Sequence, residues 1–435
     1  MRDWLALPKG SGDEGSMVKS SLALISGTAM SQAIVFLFSP FLSRIFTPAD
    51  FGDLANFNAW VSILGMLSNF RYEHAIIVAN GRIGTNRVLA LTVFLSFSSI
   101  AVYTLVAGGI YWYGPASGYL GEIRRIVFLI PFGILPLVLI SLVTLFNTRI
   151  GRFKTLAVLA VIQIVCVVVF QLTFGVLHVA HGLITGVVAG NILTCVIFLA
   201  MHLRNHSLWH IGREMRIPLL RSTASKYRNF PRYTLGADAM SIVVQQFVPV
   251  FLTAMFSPVV AGLYAFSTRV IRVPMFVIAG SVSTVLRKQA VDHLRRNGSL
   301  GSLFRTTVVS LSLLAIGPLV FLWLYSNQLF ALVFGDKWIE AGRVVQILSP
   351  GIMLEFVAFP MTVLLLVTHN QKYTFRIQLL NLILLLIALS LGKYYWNSFS
   401  ATCVLISIAM VLANLSMIAV ASGVSRQKFD AGMAV

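Results

Sequence analysis

Apolar residues along this chain gather into runs of about 20, the length a helix needs to cross a bilayer, separated by short polar clusters. Twelve such spans are expected, near residues 20–45, 53–79, 86–113, 123–147, 155–177, 180–202, 233–256, 259–286, 303–326, 344–368, 373–392 and 398–422. Lipid cannot satisfy backbone polar groups, so helices are the expected spanning element. The alternating pattern of a membrane β-barrel is not found. The expected fold is an all-α polytopic membrane protein with about 12 transmembrane helices.

The pattern repeats itself at an offset of 210. Residues 29–55, AMSQAIVFLFSPFLSRIFTPADFGDLA, align without gaps to residues 239–265, AMSIVVQQFVPVFLTAMFSPVVAGLYA, with nine of 27 positions identical. Both copies carry an F-[ST]-P-x-x-x-G turn between two spans. Six spans per half insert the same way up, so two six-helix pseudo-repeat lobes around a central cavity are expected. The organisation reads as an N-terminal tail (1–16), an N-terminal lobe (17–203), a basic linker (204–231), a C-terminal lobe (232–425) and a tail (426–435). The first sixteen residues lack the features of a signal peptide, and Met17, followed by VKSS, is an alternative start to Met1.

Composition agrees: 57% of the 435 residues are hydrophobic and 11% charged, yet the formal net charge is +19. Placing both termini in the cytoplasm puts 24 of the 33 basic residues on the inner side and six outside, which sets the orientation. Anionic lipid accounts for this charge, and a nucleic-acid partner is not needed. A bacterial inner (cytoplasmic) membrane is the expected location.

Three basic residues remain within spans. Arg71 lies in the second span, in FRYEHAIIVA, and Arg269 and Arg272 share one face of the eighth, the equivalent span of the other half. Each costs roughly 2.5–3.5 kcal/mol at the centre of a membrane helix, so a protein-lined or wet environment is expected. His74, three positions after Arg71, lies on a similar face, and helical geometry turns Glu73 away from it. Two readings stay open. Glu73, Asp238 and Glu355 also fall within spans and could neutralise the three bases as internal ion pairs, or could couple transport to an ion. Alternatively the arginines line a cavity and meet an anionic headgroup, which suits the planar, permanently charged guanidinium fork. Prolines at 40, 131, 136, 249, 274, 318, 350 and 360 should bend their spans. Gly182, Gly186 and Gly190 should let two helices approach closely.

Other constellations carry no chemistry. His202, His206, His210 and Glu214 are spaced by four, but their arginine and tryptophan neighbours suggest an interfacial helix rather than a metal site. His178 and His181 share a tight turn. Cys166, Cys195 and Cys403 stand singly in apolar runs and read as small hydrophobes. No phosphate-binding loop and no D-x-D pair is found, so neither an enzyme nor a metal or other cofactor is expected.

LSRIFTPADFG (42–52), FRYEHAIIVA (70–79), GLYAFSTRVIRVPMFVIAGSVS (262–283) and the stretch 333–367 resemble the polysaccharide-export flippases that move O-antigen and related lipid-linked oligosaccharides. These belong to the multidrug/oligosaccharidyl-lipid/polysaccharide exporter superfamily. The resemblance implies two lobes about a cationic cavity and an undecaprenyl-diphosphate-linked glycan as cargo, moved outward by alternating access. Arg71, Arg269 and Arg272, with His74 beside them, are the substrate-binding candidates. A polysaccharide polymerase and a chain-length regulator are the further partners it suggests. Energy could come from the membrane potential, from proton or sodium coupling, or from consumption of the glycan outside. Rival readings are a cation-coupled multidrug exporter, which would favour acids in its pocket, and a membrane scaffold or glycan polymerase that moves no lipid. A peptidoglycan-precursor flippase would usually carry two extra spans.

Overall fold

The computed structural model describes residues 14–115, 117–203, 212, 214–297 and 300–427. The expected N-terminal tail through residue 13, the end of the C-terminal tail, His206 and His210 lie outside them. Among the described residues there is no strand. The helices are α1 (Glu14–Ile45), α2 (Pro48–Ser68), α3 (Ala75–Val78), α4 (Gly81–Tyr113), α5 (Gly118–Arg124), α6 (Leu129–Arg149), α7 (Phe153–Val176) and α8 (Gly182–Leu203). They continue as α9 (Ile217–Lys226), α10 (Leu235–Met255), α11 (Pro258–Asn297), α12 (Gly301–Phe334), α13 (Ile339–Ala358), α14 (Met361–Val367), α15 (Gln371–Tyr394) and α16 (Phe399–Ser425).

Eleven helical stretches among the described residues are long and apolar enough to cross a membrane. They correspond to every expected span except the second. That one is the 21-residue α2, followed by a break at Asn69–Arg71, a 3-10 turn at Tyr72–His74 and the short α3. Within the spans, serine and threonine hydroxyls bond back to carbonyls one turn earlier, as Thr92 does to Val88 (2.9 Å) and Thr194 to Gly190 (2.7 Å). This satisfies them without a partner helix. Pro40, Pro136, Pro249, Pro274, Pro318 and Pro350 sit inside helices, and Pro360 stands between α13 and α14. Exposed aromatic triplets, Tyr111–Tyr113 at the end of α4 and Tyr394–Trp396 at the end of α15, fit the aromatic belt of a bilayer interface.

The chain divides into two compact units: Met1–Phe46 with Asp53–Gln246, and Thr47–Gly52 with Phe247–Val435. In the first unit, α7 and α8 touch through the glycines expected to allow it. A Cβ on Gly190 would stand 2.5 Å from the Val167 backbone, and one on Gly186 2.7 Å from that of Gln171. Cys195, buried beside Ile140, Leu159 and Phe198, packs as a small hydrophobe, and Cys403 is likewise buried.

In the second unit the start of α2 crosses the start of α11. A Cβ on Gly52 would come within 1.8 Å of the Pro258 carbonyl oxygen, and one on Gly262 within 1.8 Å of that of Pro48. The pairs are equivalent at the offset of 210, so each repeat's glycine receives the other repeat's proline turn. Phe51 then meets Phe266 and Trp338 edge-on, with ring centroids 5.0 and 5.1 Å away. Consecutive α13 and α14 form the buried axis of this unit, while α12 exposes Leu313, Leu314, Ile316, Val320, Phe321 and Leu324. Such an apolar face suits acyl chains.

Candidate functional site

The break after α2 forms the first cluster. Asn69 accepts from the Arg71 amide (3.1 Å) and donates to Glu73 Oε2 (2.9 Å). These bonds bracket Phe70 and Arg71, whose φ angles of 50° and 61° are left-handed. Non-glycine residues adopt that conformation at a cost of about 1–3 kcal/mol each, so it persists only where neighbours dictate it. Past the turn, Arg149 from the end of α6 donates to the carbonyls of Ile76, Ile77 (3.2 Å) and Ala79. It thereby satisfies carbonyls that the four-residue α3 cannot.

The turn changes which side chains meet. Because residues 69–74 are not α-helical, Glu73 is not directed away from Arg71: its Oε1 lies 2.9 Å from Arg71 Nη1. Ser141 donates to the other oxygen (3.1 Å), so this carboxylate, 6% exposed, has three donors. Asp238, from the first turn of α10, places Oδ2 2.9 Å from Arg71 Nε and 3.8 Å from His74 Nε2. One guanidinium thus faces two carboxylates, an excess of one negative charge while His74 is neutral. Asp238 and His74 are each about a third exposed.

The second cluster lies on α11. Arg272 sends Nε and Nη2 to a single oxygen of Glu355 on α13, at 3.1 and 2.9 Å. A small hollow adjoins the pair, lined by Arg272, Met275, Phe276, Ile352, Glu355 and Phe356. Its room is about that of one water molecule, so it is too small for an oligosaccharide. Arg269, one turn earlier on the same face, is exposed and has no hydrogen bond or ion pair among the described residues. This cluster carries one excess positive charge.

Of the residues singled out in the sequence, Arg71, Glu73, His74 and Asp238 come together in the first unit, and Arg272 with Glu355 in the second. Arg71 and Arg272 thus stand in ion pairs, and Arg269 has none among the described residues. The sequence reading missed Asn69, Ser141 and Arg149. Asn69 had the one available signal, a turn-forming residue directly before the charged stretch.

Comparison with known proteins follows the same lines. A family described as "Polysaccharide biosynthesis protein" matches residues 41–343, most of the chain and both clusters except Glu355. The chain belongs to this family. No curated protein matches it in sequence. Its fold is similar to that of "Lipid II flippase MurJ, inward closed conformation", at 14% identity and a TM-score of 0.65, covering 93% of this chain and 87% of that one. It is also similar to an inward-facing multidrug resistance MATE family transporter of the MOP superfamily (14% identity, TM-score 0.58, 92% and 93% covered). A third likeness is to a MOP superfamily transporter from Pyrococcus furiosus Vc1, described as having a binding pocket of reverse polarity (12% identity, TM-score 0.59, 94% and 97% covered). The chain is thus a multi-pass membrane protein of a polysaccharide-biosynthesis family whose fold is like that of these proteins.

Proposed function

We propose that the protein is a flippase carrying an undecaprenyl-diphosphate-linked oligosaccharide from the cytoplasmic to the outer leaflet of a bacterial inner membrane, for assembly of O-antigen, capsule or exopolysaccharide. The observation that carries this reading is Arg269, an exposed guanidinium without a counter-ion among the described residues, in a membrane helix of a polysaccharide-biosynthesis family member. Leaving such a charge unpaired in a span costs a few kcal/mol, which an anionic headgroup offsets when it binds.

In this mechanism the diphosphate meets Arg269 first. Its second phosphate competes with Glu355 for Arg272, whose fork is engaged on one carboxylate oxygen only. In the first unit Asp238, the more exposed partner of Arg71, is the acid an anionic group would displace, and His74 offers its ring nitrogen there. The sugars stay hydrated and the polyprenyl tail stays in lipid. Alternating exposure of these groups to the two sides completes the transfer, and net movement requires that the cargo bind the two states unequally. Both termini lie in the cytoplasm in this scheme.

The excess negative charge around Arg71 favours one rival, a cation-coupled exporter of cationic drugs. Reconstituted protein distinguishes them. Vesicles containing fluorescent undecaprenyl-diphosphate oligosaccharide are exposed to a membrane-impermeant quencher, and the rate of inner-leaflet loss is read. Wild type should transfer the lipid, Arg269→Gln should slow it at least about tenfold, as loss of one charge-assisted contact requires, and Arg269→Lys should fall between. Transfer unaffected by Arg269→Gln, or efflux of cationic dyes with no lipid movement, overturns the proposal.

A further inference from the structure

The segment between the two halves holds a short helix that the mechanism above does not use. In α9, Leu220 is buried in a cluster with Tyr72, Ala90 and Leu91, with Ala224 packed against it and Thr223 also buried, so one face lies on α4 near its Gly81 end. Two polar ties fix it. Tyr72 donates its hydroxyl to the Ala224 carbonyl (3.1 Å), and Arg87 pairs with Glu214 (2.9 Å).

The outward side has a different character. Arg216, Arg221, Lys226, Arg228 and Arg232 are all exposed, and none has an acidic partner among the described residues. The described residues of 214–234 include a single acid, Glu214, which Arg87 already holds. Among these cations Met215, Ile217 and Pro218 are also exposed, Ile217 by 77%. A nucleic acid or an acidic polypeptide would use the charges and leave Ile217 in water. A bilayer surface uses both, taking the apolar side chains at the acyl boundary and the cations at headgroup level.

We infer that α9 and its flanking residues form a docking surface for anionic phospholipid, and that lipid bound there steadies the turn carrying Arg71. The link is direct, because Tyr72 follows Arg71 and its hydroxyl is tied to α9. The inference stands whatever the cargo is, since it rests on the linker's own charges.

The test uses the full chain in nanodiscs of phosphatidylcholine with increasing phosphatidylglycerol, reading local amide hydrogen exchange. In wild type, phosphatidylglycerol should slow exchange in 217–226 and in 69–79. Each cation near an anionic surface contributes about fivefold to affinity. The triple variant Arg221→Gln, Lys226→Gln, Arg228→Gln should therefore need roughly 100-fold more anionic lipid for the same protection at low salt. Ile217→Ser should weaken protection by the lipid but not the response to added soluble polyglutamate. Protection in the triple variant equal to wild type overturns the inference. So does protection by polyglutamate matching that by phosphatidylglycerol, which would assign the surface to an acidic polypeptide.

Discussion

The two lobes treat their membrane arginines in opposite ways. Arg71 is held between two carboxylates at a strained turn, 19% exposed, with Asn69 and Ser141 completing the set. Arg272 has one carboxylate, engaged through one oxygen, and Arg269 beside it has none among the described residues. Spans at corresponding places in the two halves thus hold an acid-rich cluster that shapes the backbone and a base-rich one with charge to spare. Position within a repeat tells where a charge lies but not whether it is free to meet a ligand. The partners decide that.

Substitutions can break this contrast. Arg71→Ala should have the largest effect on stability, about 3 kcal/mol, because it leaves Glu73 buried without its cation. A clear fall in the midpoint of thermal unfolding in micelles would register it, while Arg269→Ala should leave that midpoint unchanged. Equal losses in the two variants would erase the distinction. A smaller effect is expected at the partly buried Arg272–Glu355 pair, where Arg272→Glu and Glu355→Arg should each cost about 2 kcal/mol and the double exchange should recover at least half. No recovery would mean that the pair contributes nothing specific. Ser141→Ala should cost least, about 1 kcal/mol for one donor to a carboxylate that keeps two others. A loss as large as that of Arg71→Ala would shift the organising role to α6.

Much of the fold was legible in the sequence, because a span announces itself by length and apolar content alone. The repeat offset was equally readable, and Gly52 against Pro258 with Gly262 against Pro48 is its physical counterpart. The second span misled because nothing in Phe70 or Arg71 advertises a left-handed residue. Glycine or proline usually punctuates such a break, and here only Asn69 did. Reading 70–79 as helix then sent Glu73 to the wrong side of Arg71. Glu73, Asp238 and Glu355 were marked as possible counter-ions, but the assignment of Asp238 and Glu355 to their bases depends on contacts between elements distant along the chain. Arg269 could not be singled out from Arg272, since both share a face and only the position of Glu355 separates them.

The central claim is that Arg269 is a free cation awaiting a diphosphate, and binding tests it without requiring transport. Affinities of purified protein for undecaprenyl diphosphate and undecaprenyl monophosphate should be compared in wild type and Arg269→Gln. Wild type should prefer the diphosphate about tenfold, the difference one added charge-assisted contact makes, and the variant should lose that preference with its unfolding midpoint intact. A variant that keeps the full preference would contradict the account.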